Sequence, residues 1–247
     1  MIEVHKLTKQ FGSHVAVKQL SFSVEAGSIF GILGPNGSGK TTTVRMLCGL
    51  LLPDAGTVNI NGLSVREDPV AAKEALGVLP DGSALFPQLT IWEHLMLEAR
   101  VRGLSEKEAQ ARAEDLLRYT DLWDKRRTRV SGCSVGMRKK LGIALAVIHK
   151  PPVMIMDEPF DGLDPVSARK IRNLFMALQQ QCGSTLIITS HVLALVEELV
   201  DRVMIIGDGA ILEILEHPRS SDQSLLDAYL KAFDHDDALD VSFSWLG

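Results

Sequence analysis

An α/β fold with a parallel sheet wrapped by helices is expected from three changes of pattern along the chain. Short β-rich runs dominate from Ile2 to about Asn61, the periodicity is helical from Thr90 to about Ile148, and strands alternate with helices after Val153. In the first stretch, strands are read at Ile2 to Leu7, Leu20 to Val24, Ser28 to Leu33 and Thr57 to Ile60, the last closed by an Asn61-Gly62 turn. Only Lys40 to Leu51 reads as helix there. In the middle stretch, Ser105-Glu-Lys-Glu108 has the form of a capping box and Leu116 and Leu117 follow it, so this part reads as a helical insert. The last stretch runs strand (Val153 to Met156), helix (Val166 to Leu178), strand (Thr185 to Thr189), helix (Val192 to Leu199) and strand (Val203 to Ile206). From about His217, Asp222, Asp227, Asp234, Asp236, Asp237 and Asp240 stand against only Arg219 and Lys231. A surface helix around Leu225 to Phe233 and a solvated acidic tail are expected there.

Composition narrows the function classes. With 247 residues, 46% of them hydrophobic, the chain can build one large α/β domain or two small ones. A formal net charge of −5 leaves no basic excess to neutralise a phosphate backbone, so no nucleic-acid partner is expected. The cysteines Cys48, Cys133 and Cys182 are odd in number and form no CxxC pair. They read as small buried or half-buried apolar residues in a reducing compartment. The first residues carry no export signal, and apolar runs such as Leu141 to Ile148 fall far short of the roughly 18 residues that cross a bilayer. Any membrane role is expected to belong to a partner.

Chemistry concentrates at three strand ends. The run Gly34, Pro35, Asn36, Gly37, Ser38, Gly39, Lys40, Thr41 and Thr42 follows an apolar strand and opens a helix, the setting of a phosphate-binding loop. Its glycines turn backbone amides onto the α- and β-phosphates, Lys40 adds a charge on the β- and γ-phosphates, and the Thr41 hydroxyl ligates Mg²⁺. The bland alternative is a glycine-rich turn before a helix. Val153 to Met156 ends in Asp157-Glu158-Pro159, two carboxylates at the sheet edge where open α/β folds bind ligands. Asp157 is expected to hold Mg²⁺ or its water shell, and Glu158 to orient and deprotonate the attacking water. Adjacent acids after a strand are common by chance; about 120 residues beyond a phosphate loop they are informative. Thr185 to Thr189 ends at Ser190-His191, and His191 could donate a hydrogen bond to a γ-phosphate oxygen. Alone, such a histidine is more often structural.

The order and spacing of these motifs resemble the ABC transporter ATPase family over residues 1 to 215 or so. The resemblance implies the ABC ATPase fold: a P-loop NTPase with a RecA-like mixed sheet core, an antiparallel β subdomain and an inserted α-helical subdomain. It implies an ATPase domain over 1–216 with the insert at about 88–148, then a short acidic tail over 217–247. Further family positions then have counterparts. Phe11 matches the aromatic that stacks on adenine, where tyrosine is commoner and a core phenylalanine is the alternative. Asp161-Gly-Leu-Asp164 matches the loop that crosses to the partner subunit, with Asp164 the key position. Ser134-Val-Gly136-Met137 matches the LSGGQ motif that caps ATP on the opposite subunit.

Two departures stand out. Where the family has glutamine at the start of the helical insert, Asp81 occurs, three residues before Ala84-Leu-Phe-Pro87, and Gln88 is a decoy. A carboxylate at position 81 can meet Mg²⁺ or water but lacks the amide's donor. In the LSGGQ region Cys133, Val135 and Met137 replace the leucine, first glycine and glutamine. Together with Gly136-Met137-Arg138, Asp81 resembles the export branch that serves drug and antibiotic efflux. Of two candidate serines, Ser134 lies 23 residues before Asp157, the family spacing, whereas Ser131 lies 26 before it. Ser134 also reads as a helix N-cap.

The resemblance thus implies a subunit that binds ATP and Mg²⁺, with Glu158, His191 and Asp81 in catalysis and Thr41, Asp81 and Asp157 at the metal. Its implied partners are a second nucleotide-binding subunit, with a homodimer favoured, and a transmembrane permease on a separate chain at the cytoplasmic face of the membrane. A cassette ATPase acting on ribosomes or DNA is the alternative, and a small-molecule kinase a third.

Overall fold

A computed structural model describes residues 1–81, 85–218 and 224–233. Its first sheet is antiparallel, in the order β2-β1-β4-β5, from β1 (Ile2–Phe11), β2 (His14–Val24), β4 (Ala55–Ile60) and β5 (Leu63–Ser64). β1 and β2 outrun the expected strands. Lys6 (φ 45) and Gln19 (φ 53) take left-handed backbone on either side of the Leu7–Leu20 pair, and these irregularities break the alternation from which the strands are read.

The second sheet is mixed, in the order β10-β9-β3-β8-β7-β6. It comprises β3 (Ile29–Leu33), β6 (Leu76–Leu79), β7 (Val153–Met156), β8 (Thr185–Ser190), β9 (Arg202–Gly207) and β10 (Ala210–Glu216). Only β10 pairs antiparallel. β6 and β10 go beyond the sequence expectation. Both faces of the sheet are covered, as the continuous apolar runs require. Phe30, Ile32, Ile155 and Ile187 join the first sheet and α1 (Lys40–Leu47) in one core. Leu33, Met154, Met156 and Ile188 pack on α6 (Pro165–Cys182), α7 (Leu193–Glu197) and α8 (Leu225–Phe233).

α1 stops at Leu47 rather than Leu51: Cys48 is its cap, and Gly49 at φ 62 takes the left-handed conformation that ends helices. α2 (Pro69–Glu74) lies between β5 and β6. A third core is built by α3 (Ile91–Val101), α4 (Glu106–Tyr119) and α5 (Val135–Val147), with Leu95, Leu117, Leu141 and Ile148 fully or almost fully buried. The Ser105 capping box forms as expected, and Thr90 with Glu93 makes a second one at the start of α3. The insert joins two strands that are direct neighbours, β6 and β7. Its last helix, α5, also contributes Ile143, Ala146 and Val147 to the sheet core.

Cys48 and Cys133 are buried as expected, but Cys182 is exposed. It is the last residue of α6, on the solvent side of a helix whose buried face is set by Ala168, Ile171 and Phe175. α8 spans the expected residues and packs its Leu225 and Ala228 inward. In the expected tail, Asp222, Asp234, Asp236, Asp237 and Asp240 lie outside the described residues, as does Ala84 beside Asp81.

Candidate active site

β3, β8 and β7 lie side by side and parallel, so the segments leaving their C-terminal ends converge on one edge of the sheet. Leu33 runs into the glycine-rich loop, Met156 into Asp157-Glu158, and Ser190 into His191. The loop is tightly seated. A Cβ on Gly34 would lie 2.3 Å from the Ile206 carbonyl oxygen of β9, so only glycine fits. Lys40, 6% exposed, turns its ammonium back into the loop and donates to the carbonyls of Gly34 (2.7 Å) and Pro35 (3.1 Å). The amides of Lys40, Thr41 and Thr42 open the first turn of α1 and have no acceptor within the helix, which makes that end electropositive.

The acid pair is split between two environments. Asp157 is fully buried: the Thr189 hydroxyl donates to its Oδ1, while Oδ2 has no hydrogen-bond partner among the described residues. A buried, unsatisfied carboxylate oxygen beside a phosphate-type loop fits a cation ligand. Glu158 sits in the left-handed region at φ 46, its amide donating to Thr189 Oγ1 (2.9 Å). Its carboxylate lies 3.6 Å from the Lys40 ammonium and accepts from the His191 amide (3.2 Å), and its Oε2 is 3.1 Å from His191 Nδ1. Burial raises the proton affinity of the Glu158 carboxyl above the usual carboxylate range; the Lys40 charge opposes this and Asp161 reinforces it.

A cleft of about 460 Å³ runs from this cluster to Phe11. Phe11, Asn36, Gly37, Gly39, Lys40, Thr41, Thr42, Asp81, Glu158 and His191 line it. Gly34, Pro35, Ser38 and Asp157 are not on its wall; the first two hold Lys40 through their carbonyls, and Ser38 and Asp157 are buried. Phe11 is 50% exposed, so it is not a core phenylalanine, and the Lys9 ammonium stands 5.6 Å from its ring centre. Sequence reasoning missed three wall residues: His14, Ala16 and Asp161. Asp161 Oδ1 is 3.7 Å from His191 Nε2, so the imidazole bridges two carboxylates. Its place in the same loop as Asp164 was the available signal.

Ser134, Gly136 and Asp164 do not line this cleft. Asp164 caps α6, accepting from the amides of Val166 and Ser167 (3.0 Å each) and from the Ser167 hydroxyl, bonds that hold its carboxyl below the usual range. Ser134 is the N-cap of α5 and accepts from the Met137 amide (3.2 Å), whereas Ser131 lies in a separate 3₁₀ turn, Val130–Gly132. A Cβ on Gly136 would lie 3.0 Å from the Gly162 carbonyl oxygen, so the start of α5 comes close to the loop after Glu158.

A phosphate-binding loop, a buried acid with an adjacent half-buried one, and a histidine bonded to the latter define a nucleoside-triphosphate-hydrolysing α/β domain. The sequence profile of the ABC transporter family matches residues 17–161. The chain is 38% identical over 214 residues to the linearmycin resistance ATP-binding protein LnrL of Bacillus subtilis (strain 168), covering 87% of this chain and 68% of that protein. It is 37% identical over 213 residues to the bacitracin transport ATP-binding protein BcrA of Bacillus licheniformis, covering 86% and 69%. A solved ATP binding subunit of an ABC transporter superposes with a TM-score of 0.88 at 28% identity, covering 95% of this chain and all of that one. The chain belongs to the ABC transporter family, as an ATP-binding subunit that hydrolyses ATP.

Proposed function

We propose that this chain drives export: two copies close on ATP, hydrolyse it, and move a separate membrane-spanning subunit bound at the cytoplasmic face of the membrane. Residues 1–216 act as the ATPase unit, with 88–148 as the insert that touches the membrane subunit. The relatives named for linearmycin resistance and bacitracin transport support export. Among the described residues no helix is long and apolar enough to cross a membrane. A groove of about 370 Å³ between the sheet core and the insert, lined by Cys48, Leu50, Leu85, Glu98, Arg102 and Leu145 among others, supports docking there. Leu50 on its rim is 58% exposed.

The observation that carries the reaction is the Glu158 carboxylate, half-buried, bonded to His191 and facing Lys40. The loop amides and Lys40 take the phosphates, and the Phe11 ring stacks on the base. Asp157, Thr41 and Asp81 would hold Mg²⁺, which would supply positive charge against the developing negative charge of the phosphates. A water oxygen bonds to the γ-phosphorus as the bond to the bridging oxygen breaks, and the water's proton passes to Glu158, whose raised proton affinity suits a base. His191 holds that carboxylate and offers a donor to the γ-phosphate. Ser134 and Gly136 of the second copy, at the positive end of α5, close the site from the other side, and Asp164 lies in the loop between the two copies.

Glu158→Gln is expected to bind ATP with near-normal affinity and to turn over at least about a hundredfold more slowly, the usual contribution of a general base. Turnover within about threefold of wild type, measured at saturating ATP, would remove Glu158 from that role.

A further inference from the structure

Glu158 is held at both ends of its own backbone by side chains from two different layers. On one side its amide donates to Thr189 of β8 (2.9 Å). On the other, the Lys139 ammonium of α5 donates to its carbonyl oxygen (2.7 Å). The residue between these two bonds has φ 46, a conformation that a side chain with a Cβ adopts only where its surroundings over-determine it. Lys139 shares a cavity wall with Asp81 and Asp161, yet among the described residues it forms no ion pair. Among the described residues its ammonium's one hydrogen bond goes to the Glu158 carbonyl.

Lys139 lies five residues beyond the Ser134 cap, on the helix whose first turn also packs Gly136 against Gly162. We propose that Lys139 is a positioning residue that ties the attitude of α5 to the Glu158 peptide, so that engagement of Ser134 on the partner's ATP sets the catalytic carboxylate. The inference rests on the reading of Glu158 as the base and Ser134 as the cap. Because α5 is a rigid rod, a small tilt at its N-terminus shifts the lysine stem, and Nζ carries the carbonyl with it. Rotation of that peptide redirects the Glu158 side chain relative to Lys40 and His191. Ångström displacements of this kind lower turnover without removing any group that binds nucleotide.

Lys139→Met keeps the stem and removes the donor. It is expected to lower kcat about tenfold with the ATP dissociation constant unchanged within about twofold. Lys139→Arg, which keeps a donor, should recover turnover to within about threefold of wild type. In a Glu158→Gln background, adding Lys139→Met should cause no further loss of the residual turnover and leave ATP-driven dimerisation intact. Lys139→Gln, with a shorter donor, gives an independent reading if the methionine variant fails to fold, and should fall between methionine and arginine. A methionine variant with kcat within twofold of wild type, an equal loss in nucleotide affinity, or a loss that persists in the Glu158→Gln background overturns the proposal. If Glu158→Gln itself stays active, the base assignment fails instead, so the two failures are distinguishable.

Discussion

Phe11 shows how far a single side chain is legible. Its exposure and its place on the cleft wall support a stacking role, and stacking contributes about 0.5–1.5 kcal/mol in both ground and transition states. Phe11→Ala should therefore raise the dissociation constant of a fluorescent ATP analogue by about twofold to tenfold and leave turnover at saturating ATP nearly unchanged. Unchanged affinity would show that the ring does not meet the base. Lys40, Asp157, Glu158 and His191 were readable because each follows an apolar strand, and β3, β7 and β8 deliver them to one edge. The bonds among them were not. That Glu158 has a positive φ and Asp157 an orphaned oxygen follows from how neighbouring strands abut, which spacing along the chain does not encode.

Elements divide along the same line. Long alternating or capped segments were legible: the α4 capping box and the α8 span agree with the sequence reading. β6 was not, because four residues with a glycine at the centre carry little strand signal. Gly77 is there for contact, since a Cβ would lie 2.0 Å from the Ala146 carbonyl of α5. β10 was within reach, for Asp208-Gly209 is a hairpin turn with both residues at positive φ. At α5, two consequences follow. Ser134 caps the helix and Ser131 does not, so Ser134→Arg should abolish ATPase activity with ATP binding to the single subunit intact, whereas Ser131→Ala should keep most activity. The reverse ranking would place the motif at Ser131.

At its other end, His149 Nε2 lies 3.2 Å from the Leu76 carbonyl and its Nδ1 is buried with no partner among the described residues. Burial, with Arg102 next in weight, lowers its pKa from 6.5 to about 4. The folded state therefore binds that proton more weakly than the unfolded chain. The resulting stability is whole above pH 6.5 and is lost as pH falls toward about 4, an effect worth about 1–3 kcal/mol. Urea unfolding should show wild type losing more stability than His149→Gln across that window. Equal losses would remove His149 as the cause.

Taken whole, α5 is packed both in the insert and against the sheet, its first turn beside the loop that follows Glu158. Ser134 and Gly136 lie off the cleft that holds Lys40 and Glu158, and under the proposed reading each copy closes the site of the other. The LSGGQ-like stretch was legible as a motif, since its spacing from Asp157 and its capping serine are local features. The sequence could not show that it sits apart from the cleft, because that depends on how the insert leans on the sheet. Under the proposed reading two copies share each ATP, and sedimentation of Glu158→Gln reads this out. Without nucleotide the variant should run as the 27.0 kDa chain, and with ATP and Mg²⁺ at about twice that mass. A species that stays at the single-chain mass at saturating ATP, from a protein whose wild type hydrolyses ATP, would contradict the shared site.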